Sequence, residues 1–226
     1  MNAVPPAASV PSAASVPPAS SAPTATAPLS TPTRVLVVGD SLSDPKVAGG
    51  AYVAEALRSC PTVEVVNRAR GGWMVNQMRR DLERAQPKLG RLSHAVVFGG
   101  VNDVYSDESA GRTPEKIIAD LERIYALARE QGASVIGVTI APWGGFARYY
   151  NPKRAESTRT VNAWIRARAQ SGELGGLVDA YALLSCGDAE RLCPEHEAPF
   201  RDGLHVGPSG QKRLGQALAA AFAPCP

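Results

Sequence analysis

Short apolar runs alternate with longer amphipathic stretches along most of this chain, and that alternation predicts a parallel sheet covered by helices on both faces. Arg34 to Val38 reads as the first strand, because Val35-Leu36-Val37-Val38 is apolar on both faces. A helix is expected from Gly50 to Ser59, with Tyr52, Val53, Ala56 and Leu57 on its inner face. Val63 to Val66 reads as strand two, and Val75 to Ala85 as a charged helix that buries Met78 and Leu82. Strand three is expected over Ala95 to Phe98. Thr113-Pro114 suits the N-cap and first position of a long helix that keeps Ile117, Leu121, Ile124 and Ala128 in register and ends at Gly132. Val135 to Ile140 is expected as strand four, Pro152 to Ala169 as a helix with Val161 and Ile165 inward, and Leu177 to Asp179 as a short fifth strand. Ser209 to Phe222 closes the pattern as a helix.

The pattern is missing from residues 1–33. That segment has no charged residue and consists almost entirely of Ala, Pro, Ser, Thr and Val. It cannot bury enough apolar surface to offset its ordering entropy, so a disordered linker is expected there, ahead of one domain over 34–226. The remaining ~190 residues are ample for a single buried core. No apolar run is long enough to span a bilayer, and no basic-plus-apolar signal opens the chain, so any export signal is expected outside this sequence. Its 24 basic and 21 acidic residues leave a net charge of +3, without the basic runs and interleaved aromatics of a nucleic-acid binder. The four cysteines, Cys60, Cys186, Cys193 and Cys225, form no C-x-x-C pair. His196 alone lies near any of them, so two disulfides in an oxidising compartment are expected rather than a zinc site. A secreted, periplasmic or surface-anchored protein fits that reading.

Four separated stretches carry candidate chemistry. They are Gly39-Asp40-Ser41-Leu42-Ser43-Asp44, Val66-Asn67-Arg68-Ala69-Arg70-Gly71-Gly72, Gly99-Gly100-Val101-Asn102-Asp103 and Asp202-Gly203-Leu204-His205. A serine hydroxyl is a poor nucleophile until a base takes its proton, and histidine titrates near working pH. A carboxylate on the other imidazole nitrogen fixes the tautomer, and Asp202 and His205, at i and i+3, can face the same way on one turn. Singly, Asp40-Ser41 reads as a turn or cap and Asn102-Asp103 as an Asx-turn. Jointly, Ser41, Gly72 and Asn102 follow the first three strands, on the rim where open α/β sheets bind ligands. His94 is read as structural and His196 as an exposed loop residue. Arg148 and Arg154 read as solvated charges.

In these four blocks the sequence resembles the SGNH (GDSL) hydrolase family, over roughly Arg34 to Phe222. The resemblance implies a flavodoxin-like three-layer α/β/α sandwich, with a five-stranded parallel sheet in the order 2-1-3-4-5. It also implies ester or acyl-transfer chemistry without a metal or organic cofactor. Carried over by position, Ser41 is the nucleophile, His205 the base and Asp202 its orienting acid. The oxyanion donors are the backbone N–H groups of Ser41 and Gly72 and the side-chain amide of Asn102. In that topology the first and last helices share a face of the sheet, which brings Cys60 to Cys225 and leaves Cys186 to pair with Cys193 in the loop before Asp202. Trp73, Tyr105, Trp143, Phe146 and Tyr149 lie near the rim and are candidates to contact substrate, although aromatics in such loops also serve to close a core. The chain lacks a long insertion to cover a fatty chain. The expectation is therefore a short acyl group such as acetyl on an acylated small molecule or carbohydrate; a monomer is also expected. An O-acyltransferase would use the same residues. A catalytically silent carbohydrate-binding module would show erosion of the four blocks, and none is eroded.

Overall fold

Val35 and Val37 project from one face of the first strand and Leu36 and Val38 from the other, and all four are buried. A central strand of that kind needs cover on both sides. The computed structural model, which describes residues 1–3, 33–47, 49–60, 62–223 and 225–226, supplies it. Most of the expected 1–33 linker lies outside the described residues, and Thr33 already belongs to the first strand.

Five parallel strands, β1 (Thr33–Gly39), β2 (Val63–Asn67), β3 (His94–Phe98), β4 (Ser134–Val138) and β5 (Gly176–Val178), lie in the order β2-β1-β3-β4-β5. This is the order that the family resemblance implies. The helices are α1 (Ala51–Ala56), α2 (Val75–Leu89), α3 (Val101–Tyr105), α4 (Asp107–Ala110), α5 (Pro114–Glu130), α6 (Pro152–Gln170), α7 (Ala180–Leu184), α8 (Pro194–Glu197) and α9 (Pro208–Phe222). One face packs Val35, Val37, Phe98 and Val138 against Tyr52 and Val53 of α1 and Leu214, Leu218 and Phe222 of α9. The other packs Leu36, Val38, Val97 and Val135 against α2, α5 and α6 through Met78, Leu82, Ile117, Leu121 and Ile165. α1 and α9 approach closely because Gly215 has no side chain. A Cβ there would press into Glu55 and the Tyr52 carbonyl.

Several boundaries differ from the sequence expectation for identifiable reasons. β4 ends at Val138, not Ile140, because Asn162 on α6 takes over the backbone of Ile140: its Oδ1 accepts the Ile140 N–H at 2.7 Å and its Nδ2 donates to the Ile140 carbonyl at 3.0 Å. α2 continues through Pro87 to Leu89, whose side chain is buried. α1 stops at Ala56, short of Ser59. The loop expected around Cys186 and Cys193 contains a small antiparallel hairpin, β6 (Ser185–Cys186) and β7 (Asp188–Leu192).

Disulfides join Cys60 to Cys225 and Cys186 to Cys193. The first ties the chain just beyond α1 to the chain just beyond α9, across 165 residues of sequence. The second closes the β6–β7 hairpin.

Candidate active site

Ser41 sits in the turn that ends β1, and that turn is fixed from three sides. The Asp40 carbonyl accepts the Ser43 N–H at 3.1 Å, and Asp40 Oδ1 accepts the Leu42 N–H at 3.0 Å. Asn67, at the end of β2, donates from Nδ2 to the Ser43 carbonyl at 3.0 Å. Ser43 Oγ lies 2.8 Å from the Tyr52 hydroxyl on α1. Asp40 is fully buried and its Oδ2 has no partner among the described residues. Burial lifts its pKa from 3.8 to about 7, and the Leu42 N–H only partly opposes the rise.

The short segment before α9 brings the acid and the imidazole to that serine. His205 Nε2 is 3.1 Å from Ser41 Oγ, and His205 Nδ1 is 2.6 Å from Asp202 Oδ2. Asp202 Oδ1 accepts the N–H groups of Leu204 (3.0 Å) and His205 (2.8 Å). Partial burial raises the Asp202 pKa, but the His205 N–H, the imidazole and the Leu204 N–H outweigh it and hold the carboxyl below its ordinary value. An ionised carboxylate only accepts. The hydrogen therefore resides on Nδ1, and the lone pair on Nε2 faces the serine hydroxyl.

Two glycines let this segment approach the loop after β4. Gly203 adopts a φ of 77°, and a Cβ there would overlap the Gly145 backbone. Glu197 on α8 accepts the Gly203 N–H at 2.5 Å. Gln211 on α9, which sequence reading overlooked, ties the parts together. Its Oε1 accepts the Tyr52 N–H at 3.1 Å, and its Nε2 is within 3.4 Å of both the Leu42 and Val206 carbonyls. One buried amide thus joins the serine turn, the start of α1 and the histidine segment.

Facing the serine are donors from two other strand ends. Asn102 lies on α3, just past β3, and one hydrogen of its amide goes to the Trp73 carbonyl at 2.8 Å. The Gly71 N–H is committed to Asp44 Oδ2 at 2.9 Å, whereas the Gly72 N–H finds no acceptor among the described residues. Of the two adjacent glycines, Gly72 therefore has the available donor. α3 is held from behind: Asp103 Oδ2 accepts the Val75 N–H at the start of α2 (2.8 Å), and its Oδ1 accepts from Arg112 Nε (2.7 Å). Arg112 and Arg79 then share Asp120, at 2.6 Å each.

A cleft of about 510 Å³ opens over these groups, lined by Ser41, Gly71, Gly72, Asn102 and His205 together with apolar Val47, Tyr105, Phe146, Phe200 and Leu204. Of the aromatics singled out in the sequence, Tyr105 and Phe146 line it. Tyr149 stands behind them, with its ring 5.5 Å from Tyr105 and 4.8 Å from Phe146. Trp73 faces a neighbouring depression instead. Trp143 is a correction: it is 1% exposed, and its indole N–H donates to Thr158 Oγ1 at 3.0 Å, so it belongs to the core under the loop. His196 is a second correction. It is buried on α8, with Nδ1 3.2 Å from Ser209 Oγ at the start of α9, rather than exposed. His94 sits at the opposite end of β3 and packs on Phe222. Arg154 is paired with Asp107. Val47 and Phe200 were overlooked because isolated apolar residues in polar loops carry no periodic signal. Among the described residues no cluster of His, Cys, Asp and Glu side chains suits a metal ion, and no helix is long and apolar enough to cross a membrane.

A search of solved structures finds the same architecture repeatedly. A GDSL-like lipase from Bacteroides thetaiotaomicron superposes with a TM-score of 0.70 at 19% identity, covering 87% of this chain and 90% of that one. A G-D-S-L family lipolytic protein from Veillonella parvula gives 0.65 at 16% identity, over 85% and 99% of the two chains. The acetyl xylan esterase AlAXEase gives 0.60 at 19% identity, over 83% and 98%. At such identities these likenesses speak for the fold. No curated protein sequence matches the chain. The model of the GDSL-like lipase/acylhydrolase family matches residues 37–213, a span that holds all four sequence blocks. The chain therefore belongs to the GDSL-like lipase/acylhydrolase family and is a carboxylic ester hydrolase.

Proposed function

We propose that this protein is a secreted serine esterase that cleaves short-chain carboxylic esters, O-acetyl groups of carbohydrates among them, through an acyl-enzyme. The observation that carries the reading is the continuous hydrogen-bonded line from Asp202 through His205 to Ser41, aimed into a cleft. In the first half-reaction Ser41 Oγ attacks the ester carbonyl while His205 Nε2 takes its proton. Asp202 stabilises the imidazolium without accepting that proton. The negative charge that develops on the carbonyl oxygen meets the N–H groups of Ser41 and Gly72 and the second hydrogen of the Asn102 amide. The imidazolium protonates the departing alcohol oxygen, and the tetrahedral intermediate collapses to an ester on Ser41. In the second half-reaction His205 activates water, which releases the acid and restores the serine.

Two further facts support the finer points. Both disulfides fit an oxidising compartment. The fold is shared with a solved acetyl xylan esterase, which suits a short acyl group on a carbohydrate. A panel of p-nitrophenyl esters from acetyl to palmitoyl, run beside acetylated xylan, tests the reading, with acetate expected as the preferred acyl group. Ser41→Ala is expected to lose essentially all turnover and labelling by a fluorophosphonate, with its melting temperature nearly unchanged. Full turnover in that variant would remove Ser41 from the mechanism. Preference for palmitoyl esters would overturn the short-chain assignment.

A further inference from the structure

Beside the cleft lies a second depression of about 250 Å³, whose lining includes Asp44, Lys46, Arg68, Arg70, Trp73 and Asp81. The two hollows share a wall. Lys46 and Arg70 face the depression, while their chain neighbours Val47 and Gly71 line the cleft. An ester bound over Ser41 therefore has this depression within reach of whatever projects past the oxyanion side.

The two hollows differ sharply in character. Apart from the polar groups around Ser41, the cleft is apolar, through Val47, Tyr105, Phe146, Phe200 and Leu204. The depression has three cations and two carboxylates, and both carboxylates are already engaged. Asp44 is buried and accepts the Lys46 N–H at 2.9 Å and the Gly71 N–H at 2.9 Å. Asp81 pairs with Arg68 at 2.7 Å. Among the described residues, Lys46 and Arg70 have no carboxylate partner, and both are exposed. The Arg70 guanidinium lies 4.8 Å from the centre of the Trp73 ring, a contact that steadies its plane. A steadied guanidinium beside an ammonium suits a carboxylate, which accepts two parallel N–H bonds.

We propose that this depression is a subsite for an acidic sugar, so that the preferred substrate is an O-acylated carbohydrate whose alcohol part carries a carboxylate next to the ester. The inference rests on the esterase reading above. The apolar cleft holds the acyl group, the Trp73 edge of the depression meets the sugar ring, and Lys46 and Arg70 neutralise its carboxylate. Because both cations are exposed, their pull is screened by salt.

The test uses the full chain and three acetylated methyl glycosides of the same ring geometry: a glucuronide, its neutral methyl ester and a glucoside 6-phosphate. At low ionic strength the wild type is expected to prefer the glucuronide to its methyl ester by about ten-fold in kcat/KM, and the preference is expected to shrink in high salt. In Lys46→Gln/Arg70→Gln that ratio is expected to fall to about one. In the single variant Arg70→Glu, which changes one exposed side chain, the methyl ester is expected to be favoured. Equal rates on the charged and neutral esters, or a ratio unmoved by either variant, would overturn the subsite while leaving the esterase reading intact. Preference for the phosphate over the glucuronide would overturn the assignment to a carboxylate. Failure to hydrolyse these esters and p-nitrophenyl acetate alike would bring down the esterase reading and this inference with it.

Discussion

The amide of Asn102 has two hydrogens, and one is fixed on the Trp73 carbonyl at 2.8 Å. That bond orients the other before any substrate arrives, so in the mechanism proposed above the oxyanion would meet a donor that need not reorganise. Asn102→Ala is expected to lower kcat by roughly a hundred- to a thousand-fold with a smaller change in KM, measured on p-nitrophenyl acetate. An effect confined to KM would place Asn102 in ground-state binding instead. Asp40 presents a different problem at the same scale. Its carboxyl titrates near 3.8 when unfolded and at about 7 when buried beneath the serine turn. Between those values the folded chain holds a proton that the unfolded chain has released, so this group's contribution to stability falls as pH rises, and the loss is complete above about 7. Asp40→Asn removes the titration. Its stability relative to the wild type is therefore expected to rise between pH 5 and pH 8, as read from denaturant unfolding at each pH. A difference that stays constant with pH would show that Asp40 is ionised throughout.

Among the elements, the central strands were legible because β1, β3 and β4 are buried on both faces and so read as unbroken apolar runs. α5 was legible from Thr113-Pro114 and its spaced apolar residues. α3 was not, because five residues, Val101–Tyr105, are too short to show a period, yet this turn aims Asn102. The β6–β7 hairpin escaped notice for a similar reason: Asp188-Ala189-Glu190-Arg191-Leu192 alternates too weakly to signal a strand. Trp143 was misjudged because sequence shows that an aromatic occupies a loop but not which way it turns. The buried Thr158 hydroxyl decided it. Gln211 was silent in the sequence, being one polar residue on the α9 face that meets α1. Its three bonds nonetheless join the elements that deliver Ser41 and His205. Gln211→Leu leaves the Tyr52 N–H and the Val206 carbonyl without this partner, while the Leu42 carbonyl keeps the Gly50 N–H, and is expected to lower stability by about 1–3 kcal/mol. If it also sets the spacing of Ser41 and His205, kcat falls by about ten-fold or more below the melting transition, with KM little changed. A lower melting temperature with unchanged kcat would leave Gln211 a purely structural role.

At the scale of the whole molecule, sheet order has a consequence that no single element shows. Because β1 lies inside the sheet and the chain returns past it with α9, the two helices that open and close the fold pack side by side on one face. The residues just past their ends, Cys60 and Cys225, are joined. In the chain-entropy account a link across 165 residues limits the unfolded chain far more than one across seven. That account gives about 5 kcal/mol for the long closure and about 2.5 kcal/mol for the short one, before any native-state strain. Cys60→Ser/Cys225→Ser is therefore expected to reduce stability by more than Cys186→Ser/Cys193→Ser does. Activity is expected to follow the opposite order. The short bridge closes the hairpin that leads into α8, whose Glu197 accepts the Gly203 N–H beside Asp202, so its loss loosens the segment that carries the acid and the imidazole. The long bridge lies beyond the far ends of α1 and α9, remote from Ser41. Denaturant unfolding and kcat on p-nitrophenyl acetate, measured for both pairs of variants under conditions where each is folded, separate the two effects. If the long-bridge variant lost activity while keeping its stability, the division of labour between the bridges would be refuted.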